Sequence, residues 1–346
     1  MNRNALKYTI AAALTFGALY LAFRGQDVNT LFSIVKQANI FALFGIVLFQ
    51  LIAHFIRAWR WQYLLSPVKT EVGLFNSFKA VVAGYAMNNI IPRAGELIRP
   101  AMIARSEKIP FAAALATIVL ERILDVVALG SILTASLFIF RKQFEAAFPE
   151  IASSTLPVLI VIAVVLILFV IVLVNKTVEA LLLKLIATVF PQKVAVFLGT
   201  AFDTFTTGLR GLSQKTILPI IIGTIGVWLF YSFSTYAGIF VFMGSGIENI
   251  GYDGALALLA LTGISITIPT PGGTGTYHYF ISRALAGFFS IALPSAIAFA
   301  TITHAVNYIA ITLLGLFYML RAGVSLGKAK EANQEKKGTP KHALRT

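Results

Sequence analysis

Apolar segments of membrane-crossing length recur from one end of this chain to the other, at 7–24, 40–58, 74–91, 111–140, 155–175, 217–243, 254–268, 277–290 and 295–321. A run of about 20 apolar residues crosses the hydrocarbon core of a bilayer, and backbone without water must satisfy its own hydrogen bonds. Long uninterrupted segments do so as helices, so the expected fold class is an all-α polytopic membrane protein. Composition agrees: 58% of the residues are hydrophobic and 12% charged, against about 25% charged in a soluble domain. No polar region is long enough for a separate soluble domain. The first apolar run follows Arg3 and Lys7 and has no small-residue cleavage site before Arg24, so an uncleaved first helix is expected.

The formal net charge of +14 has a simpler source than nucleic-acid binding, because the basic residues lie between apolar segments. The stretches 57–73, 93–108 and 175–216 and the tail from 321 hold 3, 4, 5 and 7 Lys/Arg, whereas 244–253 holds none. With the rich stretches on the cytoplasmic side, six segments cross fully: 7–24, 40–58, 111–140, 155–175, 217–243 and 295–321. Both termini are then cytoplasmic. Segments 74–108 and 254–290 each begin and end on one side, as re-entrant hairpins of opposite orientation.

The sequence breaks both hairpins. "IIPRAGE" at 90–96 and "IPTPGGTGTY" at 268–277 carry the Pro and Gly that end helices and make tight turns. Residues 1–150 and 151–325 thus each read span, span, hairpin, span, with opposite sense. That is an inverted-topology repeat, which in transporters places substrate between the broken segments. Between the halves, 176–216 reads as helix lying on the cytoplasmic surface, and 326–346 as a basic, disordered cytoplasmic tail.

The charges near the breaks are the functional candidates. Non-helical backbone at membrane depth must be buried in protein or line a wet cavity. Asn88, Asn89, Pro92, Arg93, Glu96 and Arg99 surround the first break, and Pro271, Gly272, Gly273, Gly275 and His278 the second. Arginine beside a broken helix end suits phosphate, through its donor fork and the partial positive charge of the free N–H groups. The alternative is that Arg93 and Arg99 anchor the hairpin at headgroups.

Glu121, Arg122 and Asp125 lie mid-way along an apolar helix, with Glu121 and Asp125 one turn apart on one face. Charges at that depth default to function inside the bundle; a lock in which a carboxylate pairs with Arg93 or Arg99 is equally compatible. "RAWRWQY" at 57–63 reads as an interfacial belt with snorkelling arginines. His54, His304 and Asn307 read as residues satisfied by a neighbouring carbonyl.

The order "NNIIPRAGELIRP", then "ERILD", then "PTPGGTG" resembles the transmembrane region of the lysylphosphatidylglycerol synthase/flippase family. The resemblance covers almost the whole chain and implies a flippase for a phospholipid, with no synthase portion expected in these 346 residues. The family often has a glutamate three residues after the last motif glycine, where this chain has His278. Freestanding members are associated with several lipid or glycolipid pathways, so the resemblance leaves the substrate open.

The expected function is therefore a flippase or transporter moving a phosphate-containing lipid between leaflets, in a bacterial inner membrane, with no cofactor or metal. Expected partners are that lipid and anionic headgroups at the cytoplasmic face, no nucleic acid, and a homo-oligomer left open. Two alternatives stand beside it: an intramembrane enzyme using Glu96, Glu121 or Asp125 as acid and base, and an accessory subunit that presents lipid. No nucleophile–base pair and no ATP-binding loop of the G-x-x-x-x-G-K-[ST] type is found, so no enzymatic activity is expected.

Overall fold

The computed structural model describes residues 3–149, 175–189, 191–192, 195–196, 199 and 214–322. The expected span 155–175, most of 176–216 beyond its first helix, and the tail 326–346 lie outside the described residues. In chain order the helices are α1 Arg3–Phe23, α2 Val28–Val35, α3 Ile40–Leu65, α4 Leu74–Ile90, α5 Gly95–Glu107, α6 Phe111–Ile139, α7 Arg141–Ala147, α8 Lys176–Val189, α9 Gln214–Ile239, α10 Tyr252–Thr267, α11 Thr276–Phe289 and α12 Leu293–Arg321.

Local chemistry sets several of these boundaries. Asp27 accepts the backbone N–H groups of Asn29 and Thr30 to start α2, and Asn39 accepts those of Phe41 and Ala42 to start α3, relieving donors that have no partner inside the helix. The first break falls at Ile91–Ala94. Ile91 is extended (φ −129°), as the residue before a proline prefers. Arg93 then takes a left-handed φ of 61°, an uncommon conformation for a residue with a Cβ. In the second break Gly272, Gly273 and Gly275 have φ of 56°, 77° and 88°, where glycine avoids that steric cost.

Helices α3 and α9 form a central antiparallel pair. Gly45 meets Ala237, Gly226 meets Ile56 and Gly223 meets Arg60, while the Asn39 N–H donates to Val241 O at 2.8 Å. Both helices have 26 residues, about 39 Å at 1.5 Å per residue, more than the ~30 Å hydrocarbon core.

Around this pair sit two helix hairpins rooted at opposite ends. Glu107 closes the base of α4–α5 by accepting from Gly73 N–H (3.0 Å), Asn76 Nδ2 (2.7 Å) and Lys69 Nζ (2.5 Å). At the other end, Gly254 abuts the Phe289 ring to close the base of α10–α11. Midway between, the tips touch: Arg93 Nη2 donates to Thr267 O at 3.4 Å, and Gly272 packs on Asn89.

Packing is reciprocal, since α4 of the first hairpin lies on α12 and α10 of the second lies on α6. Two apolar cores flank the junction. One gathers Phe140, Phe144, Phe288 and Phe299; the other gathers Trp61, Leu65, Met87 and Ile103. Rows such as Leu218, Ile221, Ile222 and Ile225 on α9, and Ile309, Leu313, Phe317 and Leu320 on α12, are exposed, the surface that hydrocarbon would cover.

Three described helices, α3, Lys215–Ile239 of α9 and α12, are long and apolar enough to cross a membrane. Helices α6 and α7, bent by 95° where they join, pass the same test when taken together. Helix α1, Arg3–Phe23, has 21 residues and contains all but the last residue of the crossing expected at 7–24.

Candidate functional site

The site is built on the last third of α3. His54, Arg57, Trp61 and Leu64 recur at helical spacing on one buried face, and Arg60 is buried beside them. Arg57 and Arg60 are 1% and 0% exposed, so the expected interfacial belt of snorkelling arginines does not form here. The helix continues past them to Leu65, and their guanidinium groups turn inward because α6 presents two carboxylates at the same level.

Glu121 accepts from Arg57 Nη1 at 2.6 Å and from both ends of the Arg99 fork, Nη1 at 2.5 Å and Nη2 at 2.7 Å. Asp125, one turn on, accepts from Arg57 Nη1 at 2.6 Å and Arg60 Nη2 at 3.2 Å. Arg60 Nη1 also reaches Thr224 Oγ1 on α9 at 2.9 Å. Arg99 is held from its other face by the Trp61 ring, 4.0 Å from its Cζ, and Trp61 Nε1 donates to Thr117 Oγ1 at 2.8 Å. The cluster therefore ties α3, α5, α6 and α9 together.

Its charges do not balance. Arg57, Arg60, Arg99 and Arg122 face Glu121 and Asp125, with Glu96 lining the adjoining cleft, four positive groups against three negative. Arg122 approaches Asp125 only to 3.8 Å. The Nε atoms of all four arginines are buried without a hydrogen-bond partner, which is costly in a low-dielectric setting.

Beside it a small cleft with a cavity volume of about 10 Å³, lined by Tyr85, Asn88, Glu96, Arg99 and Arg122 among others, lies between α4, α5 and α6. Gly84 and Gly95 let the two arms meet: a Cβ on Gly95 would lie 1.9 Å from Gly84 O. Asn88 Oδ1 accepts the Gly95 N–H at 2.7 Å, restarting the helix after the break.

The expected residues thus fall into two groups. Asn88, Glu96, Arg99, Arg122, Glu121 and Asp125 meet at the cleft and cluster. Asn89, Pro92, Arg93, Pro271, Gly272, Gly273, Gly275 and His278 belong to the tips. Arg93 is exposed and bonds to a carbonyl rather than to a carboxylate, and Arg99 rather than Arg93 pairs with Glu121. Asn89 bridges α4 and α12, donating to Thr312 Oγ1 at 2.8 Å and accepting through its backbone O from Tyr308 OH at 2.7 Å.

His278 Nδ1 accepts the Gly275 N–H at 3.4 Å, the bond that a glutamate at this position makes in a capping box. The other polar candidates find side chains rather than carbonyls. His54 lies 3.5 Å from Gln50 Nε2 and 3.5 Å from Tyr231 OH, and His304 Nε2 lies 3.3 Å from Thr274 Oγ1. Asn307 Oδ1 is buried without a partner. Arg57 and Arg60 are the site residues that the sequence reading missed, and their spacing with His54 and Trp61 was the available signal.

Residues 7–315 match the family model described as the lysylphosphatidylglycerol synthase TM region. No curated protein and no solved structure shows a match.

Proposed function

We propose that this chain, which belongs to the lysylphosphatidylglycerol synthase TM-region family, moves a phosphate-containing lipid between leaflets. The observation that carries this reading is the uncompensated cluster: one surplus positive charge, with unpartnered guanidinium N–H groups, beside a cleft next to the junction of two broken helices. A lipid phosphate loses water as it crosses, and arginines fixed in place replace that water. Arg122 is the group for this role, because Arg99 is already held by Glu121.

An inverted repeat supplies the architecture. The series α3, α4, α5, α6 has 26, 17, 13 and 29 residues, and α9, α10, α11, α12 has 26, 16, 14 and 29. Nearly equal lengths, reciprocal packing and hairpins rooted at opposite ends all favour two halves related by inversion, with the substrate path between their tips. The acid–base alternative is weaker, because the arginines stabilise Glu121 and Asp125 as anions and occupy the oxygens that would exchange a proton. Leaflet exchange of a headgroup-labelled phospholipid in vesicles containing the purified chain tests the proposal. Exchange no faster than in protein-free vesicles contradicts it.

A further inference from the structure

Thr303, His304 and Asn307 lie ten, eleven and fourteen residues past the start of α12, the offsets that Glu121, Arg122 and Asp125 hold in α6. Where α6 carries fixed charges, α12 carries at the matching offsets one group, His304, that becomes charged only with a proton. The His304 ring centre lies 5.1 Å from that of His278 and 5.6 Å from that of Tyr308. His278 Nδ1 accepts the Gly275 N–H, so in the neutral ring Nε2 carries the hydrogen, and an added proton goes to Nδ1 and breaks that bond.

The groups facing the pair are named by their contacts. Tyr277 of α11 lies 5.1 Å from His304 and bonds to Thr303 Oγ1 at 3.1 Å. Tyr308 comes from α12, Phe23 of α1 lies 5.8 Å from His278, and Thr274 comes from the second break. From α4, Asn89 stands behind Tyr308. Among the described residues, no Lys, Arg, Asp or Glu of α1, α2, α4, α7 or α10 is hydrogen-bonded or ion-paired to either ring. A proton arriving here has no fixed countercharge, and two imidazolium rings this close repel.

We propose that His278 and His304 form a site for one proton, and that filling it loosens the contact between the two helix breaks. The route is short. A charged His304 alters its contacts with Thr274 and Tyr308, and the Tyr308 hydroxyl holds the Asn89 backbone beside the first break and the cleft. Use of this proton to drive lipid movement rests on the transport reading; the site itself does not.

Two measurements on the full chain in lipid nanodiscs test it without any lipid movement, so failure of the transport reading leaves them readable. The first is histidine NMR with isotope-labelled rings, assigned with single-histidine variants, from about pH 8 to about pH 3. The pair is expected to take up one proton in the native chain and one in each of His278→Gln and His304→Gln. Two protons in the native pair, or none, overturns the shared site. The second uses Ala94→Cys at the first break, in a chain with no native cysteine. Its thiol-labelling rate is expected to rise severalfold on acidification beyond that of Ala94→Cys, His304→Gln at the same pH. Equal rates in the two backgrounds overturn the loosening.

Discussion

Glu121 accepts hydrogen bonds from two arginines on different helices, and its side chain is fully buried. Removing one side of such a network leaves the other charges buried and uncompensated, at about 3–5 kcal/mol. Glu121→Gln is expected to lose stability of that size, read by thermal unfolding of the detergent-solubilised protein. A melting curve unchanged from the native one refutes the role of Glu121 as the centre of the lock. At this scale much of the site was legible: a carboxylate, an arginine and a second carboxylate in mid-helix cannot face hydrocarbon. Arg57 and Arg60 were not, because an aromatic-basic run near the end of an apolar segment has the composition of a membrane-interface belt. Only the length of α3 and the level of the α6 carboxylates distinguish the two.

Among the elements, the hairpins were the most readable part of the fold. Pro and Gly mark both breaks, and the structure places them at Ile91–Ala94 and Ile268–Gly275. The tight approach of the hairpin arms was hidden, since the contact between Gly84 and Gly95 depends on how the arms fold back. Gly95→Ala puts a methyl group 1.9 Å from Gly84 O, well inside van der Waals contact, and backbone cannot yield as a side-chain tip would. The variant is expected to show a lower melting temperature and a much reduced folded yield on size-exclusion chromatography. Gly17→Ala, with open space around the new methyl, is the control. Equal yields for the two variants contradict the packing account of the hairpin.

For the whole molecule, the antiparallel α3/α9 pair and the oppositely rooted hairpins place Ser106 and Asn249 at opposite ends. Both residues are exposed. Ser106→Cys is expected to label from the cytoplasmic side and Asn249→Cys from the outer side, with a membrane-impermeant thiol reagent on intact and opened cells. Labelling of both from one side contradicts the inverted repeat. The alternation of Lys/Arg-rich and Lys/Arg-poor stretches is the sequence signal for this orientation, and the labelling tests it. The meeting of the tips through Asn89, Arg93 and Gly272 was not, because nothing local couples residues so far apart in sequence.

The central claim is that surplus positive charge at the cleft carries a lipid phosphate, and Arg122 tests it most directly. It lines the cleft and makes only the long 3.8 Å contact with Asp125, so its loss leaves the Arg57–Glu121–Arg99 network standing. Leaflet exchange of a headgroup-labelled phospholipid should be measured in vesicles holding equal amounts of folded native protein or Arg122→Gln. The account predicts rapid exchange with the native chain and a loss of about tenfold or more in the variant, as removal of a charge-assisted bond worth about 1.5–3 kcal/mol implies, with the melting temperature nearly unchanged. Native-rate exchange by Arg122→Gln contradicts it.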